Sequence, residues 1–173
     1  MGIDPGTRRI GYGLIKKTTG GSAQRIELVD AGILTVNSKN DIGALLEIKN
    51  GVSLLLKTYK PKILAIEKLY FSKNQKTALQ VAECRGVVLT AAAEAGLEIE
   101  EYAPSEVKLG LTGYGSADKK AVLKMVRLIL KSPALDVIDD ASDALALAIV
   151  SADRSRIKSL ADERPPTAKK AGD

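Results

Sequence analysis

Four carboxylates in this chain sit where chemistry is possible. Asp140 and Asp143, in DDASDALALA, are three residues apart and share one face if that stretch is helical. Asp4, in MGIDPGTRRIGYG, closes a short apolar run ahead of a Pro-Gly turn, and Glu67 is the first acid after the apolar run ILAI. A carboxylate at the end of a strand in an α/β sheet lies where ligands and metals usually bind. If the chain brings Glu67, Asp140 and Asp143 to Asp4, the set has a definite chemistry. Oxygen donors without an imidazole suit a hard divalent cation, Mg²⁺ or Mn²⁺. Two such ions about 4 Å apart would activate a water and stabilise the leaving oxygen of a phosphodiester. Without metal, acids that close raise one another's pKa values, and a metal or an incoming lysine would relieve this. A second reading also fits the spacing, in which the four are separate caps and turn acids. Acids in a first helical turn complement the macrodipole. That serves Asp139 and Asp140 well, and Asp143, beside the apolar stretch, less well.

Composition narrows the chemistry further. There is no histidine and a single cysteine, Cys84, so histidine triads, histidine zinc sites and zinc ribbons are excluded. Acid–base work must come from carboxylates, lysine, tyrosine or a metal. The 173 residues, 45% hydrophobic and 27% charged, suit one globular domain with an ordinary core. No apolar run is long enough for a spanning helix. No basic segment followed by an apolar stretch opens the chain. With one cysteine suited to a reducing compartment, a cytoplasmic protein with no membrane span is expected. The net charge of +5 is unevenly spread. Residues 57–76 carry six lysines against the single acid Glu67, and residues 103–131 carry Lys108, Lys119, Lys120, Lys124, Arg127 and Lys131 against Glu106 and Asp118. Such stretches suit a polyanionic partner, and equally suit solvated helix faces.

The elements that must position these groups are legible in order. After the Pro5-Gly6 turn, Ile10–Lys16 alternates as a strand, and residues 18–22 have turn composition. Arg25–Val36 is a long β-type run, so the chain opens as an antiparallel meander. Apolar residues recur at helical spacing from Asp41 to about Lys57. Pro61 ends that helix, and Ile63–Glu67 has the almost wholly apolar character of a buried central strand. Asn74–Ala95 reads as a helix rich in small residues, stopped by Gly96, and Leu97–Tyr102 as another strand. A short helix is expected at about Glu106–Leu109, then a glycine-rich loop, Gly110–Gly115. Ser116 is the expected N-cap of a helix over 117–131. The last helix is expected from Asp139 to about Ala152, with its ALALAIV stretch against the sheet, followed by a disordered charged tail containing Pro165-Pro166. This order predicts an α/β protein with a mixed five-stranded sheet and helices on both faces, residues 1–152 forming the domain and 153–173 the tail.

Taken together, GIDPGTRRIGYG, ILAIEKLYFSKN, QVAECRGV, EYAPSEVK, GYGSADKKAV and DDASDALALAI resemble a RuvC-type Holliday junction resolvase, in that family's order and spacing across roughly residues 1–152. The resemblance implies an RNase H-like fold and a homodimer that cuts two symmetric strands of a four-way DNA junction, with Mg²⁺ (Mn²⁺ substituting) at two ions per site. It places the family's acidic cluster on Asp4, Glu67, Asp140 and Asp143, and its active-site lysines on Lys108 and Lys119. A cation at position 119, in a first helical turn, opposes the helix dipole, so a purely structural role would be unfavourable. Such a lysine could contact the scissile phosphate or tune the metal site. Tyr70 matches the aromatic that stacks on unpaired bases, worth about 1–3 kcal/mol per base, and Phe71, the only phenylalanine, is either core or a second DNA-facing ring. Lys73, Lys76, Lys120 and Arg8 complete the expected DNA-binding set. The helix around Gln80–Thr90 resembles the family's dimer helix, and branch-migration proteins of the RuvA and RuvB type are the implied partners. One departure is visible: Met1 stands only three residues before Asp4, where family members have a longer apolar lead, so either the start is misassigned or trimmed or the first strand is short.

Other readings account for less of the chain. The phosphate loop of actin-like and sugar kinases resembles GIDPGT, but that fold needs two such domains. Resolvase-like nucleases of ribosomal RNA precursors share the hairpin but not the context of Glu67 with Tyr70 or of Lys108 with Lys119. A catalytically silent, architectural junction binder would gain nothing from four acids facing phosphate.

Overall fold

The computed structural model describes residues 1–20, 23–69, 75–137 and 139–162. Strands β1 (Gly2–Asp4), β2 (Arg9–Gly20) and β3 (Ala23–Thr35) form the expected meander. They are followed by α1 (Asp41–Tyr59), β4 (Ile63–Glu67), α2 (Gln75–Glu94) and β5 (Glu98–Tyr102). Helices α3 (Pro104–Thr112), α4 (Lys119–Ile129) and α5 (Asp139–Asp162) complete the order. The strands make one mixed sheet, ordered β3-β2-β1-β4-β5. β1 is short, yet it is central, antiparallel to β2 and parallel to β4.

Alternation along the strands sorts side chains onto two faces. Ile3, Ile10, Leu64 and Ile66 are fully buried against Ile48 and Val52 of α1 and Val88 and Ala92 of α2. Burying each of these isoleucines or leucines contributes about 1.5–3 kcal/mol. The opposite face meets α3, α4 and α5 through Val107, Leu111, Val122, Val126, Leu145 and Leu147. Beneath α5, however, that face is almost bare, because Gly2, Gly11, Gly13 and Ala65 are the residues that point there. A Cβ on Gly2 would lie 2.0 Å from the Ala144 carbonyl oxygen, and one on Gly11 would lie 2.0 Å from that of Asp140. The α5 backbone therefore rests directly on β1 and β2.

Several boundaries differ from expectation, each for a local reason. β2 runs through Thr18 and Thr19 to Gly20, paired to β3 as far as Gly20 with Ala23, so the strands reach further than composition suggests. Helix α3 continues through Gly110 to Thr112 and ends at Gly113, whose φ of 76° is left-handed. Gly110 lies inside the helix because a Cβ there would sit 3.1 Å from Val150 of α5, so its smallness serves packing. The N-cap of α4 is Asp118, not Ser116: its Oδ1 accepts the Ala121 N–H at 2.7 Å. Helix α5 extends past Ala152 to Asp162, since neither glycine nor proline interrupts residues 151–164. Residues 163–173 of the expected tail lie outside the described residues. Among the described residues no helix is long and apolar enough to cross a membrane.

Candidate active site

Asp4 and Glu67 end neighbouring strands. The parallel register pairs Gly2 with Ala65 and Ile3 with Ile66, so the next step places Asp4 beside Glu67 at the same end of the sheet. Alternation from the buried Ile3 and Ile66 turns both acids toward the α5 face. There the first turns of α5 bring Asp140 and Asp143, because the bare glycines let the helix approach. The expected convergence of these four groups is thus what the packing produces.

Electrostatics report the crowding. The Asp4 carboxyl is pushed up to about 7, first by burial, then by Asp143, Glu67 and Asp140, with Lys119 opposing. Glu67 is raised by burial and by Asp143, against Lys108 and Lys119. Each α5 aspartate has taken a cation. The Nε of Arg9 lies 3.0 Å from Oδ2 of Asp140, and the Lys119 ammonium lies 3.2 Å from Oδ2 of Asp143. Lys119 is the first residue of α4, where the helix dipole disfavours a cation. Asp143 compensates, holding the ammonium above its ordinary pKa.

Among the described residues no three acidic groups are drawn tightly enough to hold a metal ion as they stand. Two of the four acids are paired instead with Arg9 and Lys119. These ion pairs are a third or more exposed on most of their members (48% and 32%; 67% and 34%), and pairs of that kind contribute only about 0–1 kcal/mol. A divalent cation would displace them at little cost. The donors are all oxygen, and four acids face two paired cations, so the residues present fit a hard divalent ion.

Lys108 enters from α3. With Glu67, Lys119 and Asp143 it lines a cleft of about 230 Å³, walled by Val107, Val122 and Leu147. Both expected lysines therefore flank the acids. Arg8 does not: its guanidinium donates to the Ser38 carbonyl, on the α1 side. Arg9, which sequence reasoning passed over, is the arginine that reaches the acids. The signal was available, because the buried Ile10 puts Arg9 and Gly11 together on the α5 face. Lys120 lies on the outer side of α4, lining a groove with Lys124, Arg127 and Lys131. Tyr70, Phe71 and Lys73 lie outside the described residues, as does the side chain of Lys76.

Known proteins resemble this chain along most of its length. Residues 1–151 match the family described as crossover junction endodeoxyribonuclease RuvC. The crossover junction endodeoxyribonuclease RuvC of Roseiflexus sp. (strain RS-1) is 46% identical over 150 residues, covering 86% of this chain and 87% of that protein. A structure of Thermus thermophilus RuvC superposes with a TM-score of 0.82 at 30% identity, covering 91% of this chain and 95% of that one. The T. thermophilus RuvC structure in complex with Holliday junction substrate gives 0.80 at 28% identity, covering 90% and 94%. The sheet and its flanking helices are RNase H-like.

Proposed function

The chain belongs to the RuvC family of crossover junction endodeoxyribonucleases, and from that membership we propose that Asp4, Glu67, Asp140 and Asp143 form its catalytic centre. The protein is a metal-dependent, structure-specific endonuclease that resolves Holliday junctions by paired phosphodiester hydrolysis in recombination and repair. The metal is Mg²⁺, with Mn²⁺ substituting, at two ions per site, held by the four carboxylates. When bound, it supplies a nucleophilic water near neutral pH and offsets charge building on the phosphate.

The chain's own residues do the rest. Asp4 and Glu67 are the fixed members, carried on paired strand ends. Asp140 and Asp143 complete the set from α5. Lys119, paired with Asp143 in the free protein, would be available to face the phosphate once the carboxylates hold metal, and Lys108 offers a second positive charge beside Glu67. Arg9 holds Asp140 in the free protein, and Asp140 would be one of the residues that hold the metal. Water attacks phosphorus in line, leaving a 5′-phosphate and a 3′-hydroxyl. The observation that carries this reading is the convergence itself: Asp4 and Glu67 end paired strands on the face where α5 brings Asp140 and Asp143, and the half-buried Asp4 carboxyl feels the other three acids at once.

The nuclease unit spans residues 1–152. It acts as a cytoplasmic homodimer through α2, whose outward Leu79 is 64% exposed and whose Gly86 has open space at its Cβ position. Two sites related by a two-fold match the junction's own pseudo-symmetry. Tyr70 and Phe71, with Lys73, Lys76, Lys120 and Arg8, serve as DNA contacts, and branch-migration proteins of the RuvA and RuvB type are its partners. The test is a synthetic four-way junction beside a matched linear duplex, each with Mg²⁺ or EDTA. Paired nicks on the junction alone, lost in EDTA, are expected. Binding without cutting in either Mg²⁺ or Mn²⁺ would overturn the reading.

A further inference from the structure

Arg85 has no part in the chemistry above, yet its side chain is only 14% exposed. It leaves α2 at the edge of the buried stripe formed by Cys84, Val88 and Ala92 and reaches across to the sheet. There its Nε donates to the backbone carbonyl of Glu67 at 3.0 Å. Its Nη2 lies 2.8 Å from Oε1 of Glu101 on β5. One guanidinium thus ties α2 to the ends of two adjacent strands.

The reason the Glu67 carbonyl is free for this contact lies at Asp4-Pro5. In a parallel ladder every second residue of a strand both donates to and accepts from the same neighbouring strand. The Ala65 N–H donates to the Met1 carbonyl at 2.8 Å, and the register proceeds through Gly2 with Ala65 and Ile3 with Ile66. Two residues on, the Glu67 carbonyl would accept from the N–H of residue 5. That residue is Pro5, which has no N–H. Pairing stops there, and the carbonyl beneath a catalytic carboxylate loses its ladder donor. On its other side β4 stays paired to β5 through Glu67 with Tyr102, and just beyond, the Lys68 N–H donates to the Tyr102 carbonyl at 2.8 Å.

We infer that Arg85 is a positioning residue for Glu67: it replaces the ladder donor that Pro5 cannot supply and so fixes the direction in which Glu67 leaves β4. The inference rests on the assignment of Glu67 as a metal-holding residue. An ion pair with the half-exposed Glu101 would by itself contribute little. What distinguishes Arg85 is the fork, in which one arm satisfies the carbonyl and the other anchors to β5. A lysine keeps the charge facing Glu101 but has no Nε–H along the stem to reach the carbonyl.

The test compares wild type with Arg85→Lys, Arg85→Gln and Glu101→Gln. Four readouts are taken: thermal unfolding, junction affinity in EDTA, Mn²⁺ titration of the free protein, and single-turnover cutting. Arg85→Lys and Arg85→Gln should weaken Mn²⁺ binding and slow cutting by about 10–100-fold, as for other groups that orient a metal ligand. Junction affinity in EDTA should stay within about twofold of wild type. Glu101→Gln, which keeps the Nε contact, should lose no more than about threefold. Adding Pro5→Ala to Arg85→Gln returns an N–H to the ladder and should recover part of the Mn²⁺ affinity. Wild-type Mn²⁺ affinity in Arg85→Lys, with only a lowered melting temperature, would overturn the inference and leave Arg85 a structural tie. So would loss of junction binding in EDTA, which would make Arg85 a DNA contact, and so would a Pro5→Ala addition that recovers nothing. A wild-type protein that neither cuts junctions nor binds Mn²⁺ would overturn the catalytic assignment itself, and the positioning role with it.

Discussion

The two faces of the sheet are built on opposite plans. Toward α1 and α2 the strands present Ile3, Ile10, Leu64 and Ile66, and the helices are held off by full-sized side chains. Toward α5 they present Gly2, Gly11, Gly13 and Ala65, and the helix backbone lies on the sheet itself. The first plan gathers apolar area and makes the fold stable. The second trades that area for proximity, which carries Asp140 and Asp143 to two strand-end acids. β1 shows the contrast within consecutive residues: Ile3 faces the stable side and Asp4 the reactive one.

That pair gives the largest expected effect. Asp4→Asn should reduce junction cutting by well over the roughly 100-fold that loss of an outer-shell partner costs, with junction binding in EDTA intact or tighter. Loss of binding in that variant would make Asp4 a structural group and erase the distinction between the faces. Its neighbour should behave in the opposite sense. Ile3→Ala should lower stability by about 2–5 kcal/mol in denaturant unfolding, while the cutting rate per folded molecule stays close to wild type.

Gly11→Ala probes the closeness of α5. Its new methyl would stand 2.0 Å from the Asp140 carbonyl oxygen, so the helix must lift. Overpacking of this kind costs about 1–3 kcal/mol, and because Asp140 rides on the displaced turn, cutting should fall as well. An alanine tolerated in both assays would mean α5 is not seated on the sheet as described.

The last test is of pH dependence without metal. Asp4 has its folded-state pKa raised from 3.8 to about 7, so the folded protein favours the protonated acid. The stability this contributes is complete below about pH 4 and is lost as pH rises toward 7. In EDTA, the melting temperature of wild type relative to Asp4→Asn should therefore decline across that window, at about 2–4 °C per kcal/mol for a chain of this size. Saturating Mg²⁺ should remove the decline. A difference that stays flat with pH would mean the Asp4 environment is more solvated than its burial indicates.

The sequence by itself determined the elements and the addresses of the four acids. Apolar runs ended by Pro-Gly or by a first charge mark strand ends, and three-residue spacing on a helix puts two aspartates on one face. These are local facts, set by period and by turn chemistry within a few residues. Where prediction stopped short, the deciding partner was remote in sequence. Gly110 reads as a loop residue until Val150 is seen against it. Arg8 and Arg9 look interchangeable until one meets Ser38 and the other Asp140. Pro5 announces a missing N–H, but not that Arg85, eighty residues on, fills the place. Periodicity tells which face a side chain takes, and only tertiary packing decides what stands opposite it.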